Sequence, residues 1–128
     1  MATVQGEAKF GESFLLEKDG AIKVTGDGET LLLQFNAVTD SRCPKEAVCI
    51  WLGNATVLLS AANAAERIEN IAMCIGDCRP DPVRIKHTLP LKIGEQQYSI
   101  TLKEVLPHPG LENAAEKQML RLVVEVLP

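Results

Sequence analysis

The chain has 128 residues, 46% of them hydrophobic, but only three Phe, one Trp and one Tyr. This composition excludes a disordered chain and predicts a single domain whose core is built mainly from aliphatic side chains. The net charge is −4, and the 13 Lys and Arg are scattered among 17 Asp and Glu, so no basic cluster is available to neutralise phosphates and we predict no nucleic-acid partner.

Short apolar segments separated by turn signals fill the first half of the chain. The Asp-Gly pair within residues 18–20 favours a turn, and Gly-Asp-Gly at residues 26–28 favours a second hairpin. Gly53 is a candidate for a β-bulge or for a close backbone approach. The predicted strands of this half cover residues 13–17, 21–25, 30–38 and 51–60, and the third of them is apolar enough to be central.

The second half continues this pattern with one ambiguous stretch. Residues 61–70 have a helix-favouring composition but no clean apolar stripe, so we predict a turn or one brief helix there. Tyr98, Ile100 and Leu102 alternate with polar residues and should share one buried face. The predicted strands of this half cover residues 67–73, 83–87, 89–93 (weakened by Pro90), 97–105 and 119–126.

About eight short strands with frequent turns predict an all-β fold, an antiparallel β-sandwich with at most one short helix. We expect one domain over residues 1–128, with residues 1–9 disordered and residues 111–117 forming a flexible excursion. No apolar run approaches the roughly 20 residues of a transmembrane helix, so no transmembrane segment is predicted.

The four cysteines form two close pairs, which is typical of an oxidised framework. We predict disulfides between neighbours, Cys43 with Cys49 and Cys74 with Cys78. A four-thiolate zinc site is the alternative: the second pair has a suitable spacing, whereas the first is too long and includes Pro44. Free thiols are the third possibility. Neither pair has the spacing of a thioredoxin-type redox motif.

Four further residues around the first cysteine pair form a candidate structural motif. Trp51 lies two residues after Cys49 and is expected to pack on the disulfide rather than bind a ligand. Asp40 and Arg42 flank the loop and should form a local ion pair or cap the turn. An exposed pair of this kind contributes only about 0–1 kcal/mol. Gly53 completes the motif.

His87 and His108 are the only histidines. A hydrolase or a metal-binding protein would need one of them to meet carboxylates or thiolates in a cleft. His87 lies on an alternating segment and His108 between two prolines, and no serine has the context of a catalytic nucleophile. We therefore predict no catalytic residue, no metal ligand and no cofactor, and keep the hydrolase or metal-binding protein as an alternative.

Two segments carry a resemblance to a known group of proteins. Residues 40–44 (DSRCP) and 48–55 (VCIWLGNA) resemble a pattern of small exported bacterial proteins, many described only as hypothetical lipoproteins or as proteins of unknown function. Residues 98–109 are similar to their penultimate strand and Pro-x-Pro loop. The resemblance covers most of the chain beyond about residue 10.

This resemblance implies a β-rich exported protein with a Cys43–Cys49 bridge, and it carries no established activity. The Cys74–Cys78 pair is not part of it. The chain has no lipobox cysteine near its start, so a lipid anchor would belong to a longer precursor. The polar start is compatible with a removed export signal and with an intracellular protein.

Together these features predict a non-catalytic binding or structural module of the bacterial cell envelope, periplasmic or extracellular, with an envelope protein as partner. Loops held rigid by the disulfides would make the contacts. A protease-inhibitor-like module is a further alternative. A protein-binding role of either kind should place an exposed apolar or aromatic patch near one rim of the sandwich.

Overall fold

The computed structural model describes residues 3–44, 47–50, 52–79, 81–108 and 117–128, and over these residues it contains strands and no helix. The strands are β1 (Thr3–Lys9), β2 (Phe14–Glu17), β3 (Gly20–Gly26), β4 (Glu29–Asp40), β5 (Asn54–Ala62), β6 (Arg67–Gly76), β7 (His87–Ile93), β8 (Gln96–Leu106) and β9 (Met119–Leu127).

The strands form two sheets. One has the order β1-β3-β4-β5-β6, the other the order β2-β9-β8-β7. The predicted all-β sandwich is confirmed, with nine strands in the described chain instead of about eight and with β4 at the centre of its sheet as expected.

One pair departs from the antiparallel pattern, because β1 runs parallel to β3. Residues 3–9 were expected to be disordered and instead form this edge strand. Its side chains from Val4 to Glu7 are exposed, so the strand is recruited by backbone pairing to β3. Pairing of this kind leaves no apolar periodicity in the sequence.

A single apolar core fills the space between the sheets, with residues of both sheets in one cluster. Leu31, Leu33 and Phe35 supply it from β4, and the predicted face of β8 is confirmed, since Tyr98, Ile100 and Leu102 are all fully buried. The Tyr98 hydroxyl keeps a hydrogen-bond partner, the Nδ2 amide of Asn63 at 3.2 Å.

The two predicted turns in the first half differ in their roles. The turn at residues 26–28 is the predicted hairpin between β3 and β4, and Asp27 and Gly28 have the positive φ angles of 50° and 77° that this tight connection requires. The turn at residues 18–20 is not a hairpin. It carries the chain from β2 in one sheet to β3 in the other.

The brief helix allowed for residues 61–70 is not formed. β5 extends to Ala62, and the Oδ1 of Asn63 accepts the backbone N–H groups of Ala65 (2.8 Å) and Glu66 (3.1 Å). The Asn63 side chain thus satisfies donors in a turn that leads directly into β6.

The predicted strand at residues 83–87 was wrong. Only Arg84 forms a bridge, to Gly76, while Val83 and Ile85 are exposed. His87 instead begins β7. That strand continues through Pro90, which is tolerated because β7 lies at the edge of its sheet.

Candidate functional site

Three segments meet at one end of the sandwich, which we call the stapled end: the described residues of 40–54, 74–87 and 105–108. Backbone hydrogen bonds of 2.8 Å join Ser41 N to Asn54 O and Asp77 N to Gly53 O. The Nε2 of His108 lies 2.9 Å from Cys43 O. The ends of β4, β5, β6 and β8 are therefore held together here.

Asp40 and Arg42 form a two-point ion pair at this end. Arg42 Nε donates to Asp40 Oδ1 at 2.9 Å and Nη2 to Oδ2 at 2.7 Å. Their side chains are only 9% and 12% exposed, respectively, so the predicted local pair is far less exposed than a surface pair. Arg42 Nη2 also donates to the carbonyls of Val105 (2.8 Å) and Pro107 (3.2 Å). The pair thus joins the end of β4 to the end of β8 in the opposite sheet.

Gly53 lies at a close approach of backbones, one of the two roles predicted for it. Its φ is 72°, and a Cβ added there would lie 1.9 Å from Ser41 O. Gly76, which the sequence did not single out, has φ 92°, and a Cβ there would lie 2.7 Å from Gly53 O. Two glycines therefore allow three chain segments to pack without side chains between them.

The cysteines form the two predicted disulfides. Cys43 is bonded to Cys49 with a Cα–Cα distance of 5.9 Å, and Cys74 to Cys78 with 6.2 Å. No cysteine is free, so the zinc and free-thiol alternatives are wrong. Trp51 lies outside the described residues, and its packing on the first disulfide stays a prediction.

The chain after β6 folds back along the free edge of that strand. Gly76 and Arg84 exchange two backbone hydrogen bonds, of 2.8 and 2.9 Å. Arg84 also pairs with Asp81 at 2.7 Å. The Nδ1 of His87 accepts the backbone N–H of Cys74 at 3.1 Å. Residues 81–87 thereby cover the last backbone groups of β6.

The surroundings of His87 favour its neutral form. Burial lowers the pKa of its imidazole, the nearby Arg84 guanidinium lowers it further, and Asp81 opposes the shift. Since Nδ1 accepts from Cys74, the proton of the neutral ring lies on Nε2. A doubly protonated ring could not accept this bond.

We expect the His87 contact to make stability depend on pH. A histidine whose pKa is lower in the folded state than the unfolded value of about 6.5 binds its proton first in the unfolded chain. Its contribution is present above about pH 6.5 and is lost as the pH falls through the folded-state pKa. Urea unfolding of wild type from pH 7.5 to 5 should show this loss.

The matched variant is His87→Asn, which offers an amide oxygen where Nδ1 accepts but does not titrate. The free energy of unfolding of this variant should vary less over the same range. An identical pH dependence in both proteins would contradict the role assigned to His87.

The hydrolase or metal-binding alternative finds only part of what it needs. His87 shares its cleft with the carboxylates of Asp77 and Asp81, but each of these is paired with an arginine, Asp77 with Arg79 at 3.2 Å and Asp81 with Arg84 at 2.7 Å. His108 contacts the Cys43 carbonyl in a different cleft. Among the described residues, no three His, Cys, Asp or Glu side chains are grouped to hold a metal ion.

Five aliphatic side chains project from the stapled end into solvent, and we call them the apolar rim. Ile50 and Val48 are fully exposed and Ile85 is 86% exposed. The whole set is Val48, Ile50, Leu52, Val83 and Ile85, five of the seven large exposed hydrophobic residues of the described chain. The sequence did not identify this set, because alternation alone does not show whether the apolar residues face the core or solvent.

A groove of about 880 Å³ opens beside the rim. Its apolar lining comes from Ile50, Ala72 and the Cys74–Cys78 disulfide. Its polar and charged lining includes Asp77, Asp81, Arg84 and His87. The groove therefore combines apolar and charged side chains beside the free edge of β6.

Within the described ranges, no helix is long and apolar enough to cross a membrane. Compared with models of protein families, with curated proteins and with solved structures, the chain shows no match.

Proposed function

We propose that this protein is a non-catalytic binding module that docks a protein partner through its apolar rim. The observation that supports the proposal is the concentration of exposed aliphatic side chains at one end of the sandwich. Exposed apolar groups gathered in one place are typical of interaction sites, whereas single ones are ordinary.

The loop that carries Val48 is braced at two points, which also favours binding. Cys43–Cys49 closes the segment that carries Val48, and Cys43 N donates to Leu52 O at 2.8 Å on the same loop. A surface already fixed in shape loses less conformational entropy when a partner covers it. Burial of one such aliphatic side chain contributes about 1.5–3 kcal/mol.

The compartment we propose is oxidising. Two disulfides are typical of exported proteins. With the resemblance of residues 40–44 and 48–55 to exported bacterial proteins, this favours the periplasm or cell surface and an envelope protein as partner.

A protease-inhibitor-like module is a second candidate. Val48 and Ile50 flank the bonded Cys49, and both side chains are fully exposed. A braced loop of this kind can enter the cleft of a protease. Purified protein should then slow a serine protease that prefers aliphatic residues, and Ile50→Asp should abolish the effect.

Substitutions in the rim should weaken partner binding strongly. A photo-crosslinking residue at position 85, introduced in the native host, should capture a partner that mass spectrometry identifies. For the purified pair, we expect Ile85→Ala or Ile50→Ala to raise the Kd about 10- to 100-fold, since each removes one buried aliphatic side chain. Calorimetry measures the change.

Val4 provides the matched control, because it is an aliphatic residue 46% exposed on β1 and lies beside Glu29 and Ala62, at the ends of β4 and β5 opposite to the rim. Val4→Ala should leave the Kd unchanged. Equal capture from positions 4 and 85, or an unchanged Kd in both rim variants, would refute the proposal.

A further inference from the structure

Among the described strands, β6 forms one edge of its sheet and has β5 as its single neighbour. Within that pair, Cys74 lies opposite Thr56 and Ala72 opposite Leu58. Backbone groups of an edge strand that point away from its neighbour are available to another chain. The direction of these groups along β6 therefore decides what the edge can bind.

The outward groups can be identified from their hydrogen bonds. Gly76 N–H and C=O bond to Arg84, and Cys74 N–H bonds to His87. Since the backbone direction repeats every two residues, the N–H and C=O of Ala72 also point outward. Ala72 is exposed, and neither group has a hydrogen-bond partner within the described part of the chain.

The protein's own chain has already filled the neighbouring positions of this edge. The Arg84 backbone forms an antiparallel bridge at Gly76, and the His87 imidazole takes the place of a strand carbonyl at Cys74. The pairing stops at Ala72, where the groove lined by Ile50 begins. The edge is thus suited to a further stretch of extended backbone.

We propose that this groove binds an extended peptide segment of the partner protein, added as a short strand at Ala72. Its backbone would pair with the N–H and C=O of Ala72. An aliphatic side chain of the segment would lie against Ile50 and the Cys74–Cys78 disulfide, both of which line the groove. This inference rests on the proposed function and specifies the form of the partner.

A second copy of this chain does not fit the same edge. Each copy carries Arg84 and His87 along its own β6. Two β6 strands paired around Ala72 would bring the covering segment of one copy into the space needed by residues 68–70 of the other. A peptide brings no covering segment of its own, and it can pair with Ala72 between the His87 contact at Cys74 and the register shift of β6 that precedes Ile71.

The test uses short random peptides displayed on phage and selected on the full chain. We expect selected peptides to contain an aliphatic residue and, once synthesised, to slow the hydrogen exchange of the Ala72 amide. Ala72→Pro removes the outward N–H and leaves the bonds to β5 intact, so it should weaken peptide binding roughly tenfold. Ala72→Thr keeps the N–H and should therefore lose much less peptide binding than Ala72→Pro.

Several results would overturn the inference: no enriched peptide, unchanged binding by a folded Ala72→Pro variant, or no protection of the Ala72 amide. Protection that rises with protein concentration alone would identify a second copy as the occupant instead. Circular dichroism verifies that Ala72→Pro is folded.

The same variants separate this inference from the proposed function. If Ile85→Ala weakens partner binding and Ala72→Pro does not, the rim binds the partner and the strand addition is wrong. If neither variant weakens it, both are wrong.

Discussion

Replacing Arg42 with alanine should lower the free energy of unfolding by about 3–5 kcal/mol, the usual cost of breaking a buried ion pair by removing one partner. The Asp40 carboxylate, only 9% exposed, would lose both of its guanidinium bonds. The carbonyls of Val105 and Pro107 would lose a donor as well. Urea unfolding under non-reducing conditions, at pH 7.5, measures the difference.

Two further variants show which property of Arg42 matters. Arg42→Lys keeps the charge but cannot make the two-point contact, so its loss should be smaller than that of Arg42→Ala yet clearly measurable. Asp40→Asn combined with Arg42→Ala removes the carboxylate charge that Arg42→Ala leaves unpaired, so the double variant should recover part of the stability. A loss below about 1 kcal/mol for Arg42→Ala would mean that the pair acts like a surface ion pair.

The contacts of Asp40 and Arg42 give residues 40–44 a structural role. The segment joins the two sheets at the stapled end, and Cys43 then starts the disulfide-closed loop that leads to Val48 and Ile50. These contacts assign a bracing role to Asp40, Arg42 and Cys43.

The parts of the fold that were predicted correctly depend on neighbours in the sequence. The alternation at Tyr98, Ile100 and Leu102 indicated one buried face of a strand, and the Gly-Asp-Gly segment at residues 26–28 indicated a hairpin. The structure has both. The strand β1 was not predicted, because it is held in place by parallel backbone pairing to β3. This pairing joins segments that are not adjacent in the sequence, and it requires no apolar side chain.

The disulfides and the close backbone approach of the candidate site were predicted from the sequence, but its exposed apolar side chains were not. The cysteine pairing and the close approach at Gly53 follow from spacing and from the conformational freedom of glycine. Val83 and Ile85 alternate like a half-buried strand, but only Arg84 pairs and both side chains face solvent. Their exposure depends on how residues 81–87 fold back on β6, which a local pattern does not encode.

Gly53→Ala should be about as damaging as loss of Arg42, lowering the free energy of unfolding by about 3 kcal/mol or more. The new Cβ would lie 1.9 Å from Ser41 O and 3.0 Å from the Cα of Arg42, so the backbones must separate. A φ of 72° adds the strain of a left-handed conformation. Urea unfolding and the melting temperature both report the loss.

Gly28→Ala separates these two causes. Gly28 has a similar φ of 77°, but a Cβ there meets nothing within 4 Å, so it should lose only the conformational cost of about 1–2 kcal/mol. The excess loss in Gly53→Ala measures the close approach, and equal losses would show that the backbones can separate freely. Because Gly53 O also accepts the N–H of Asp77, separating them would shift the segment leading to Val83 and Ile85. Any Gly53→Ala protein that still folds should therefore bind the rim partner more weakly than Gly28→Ala.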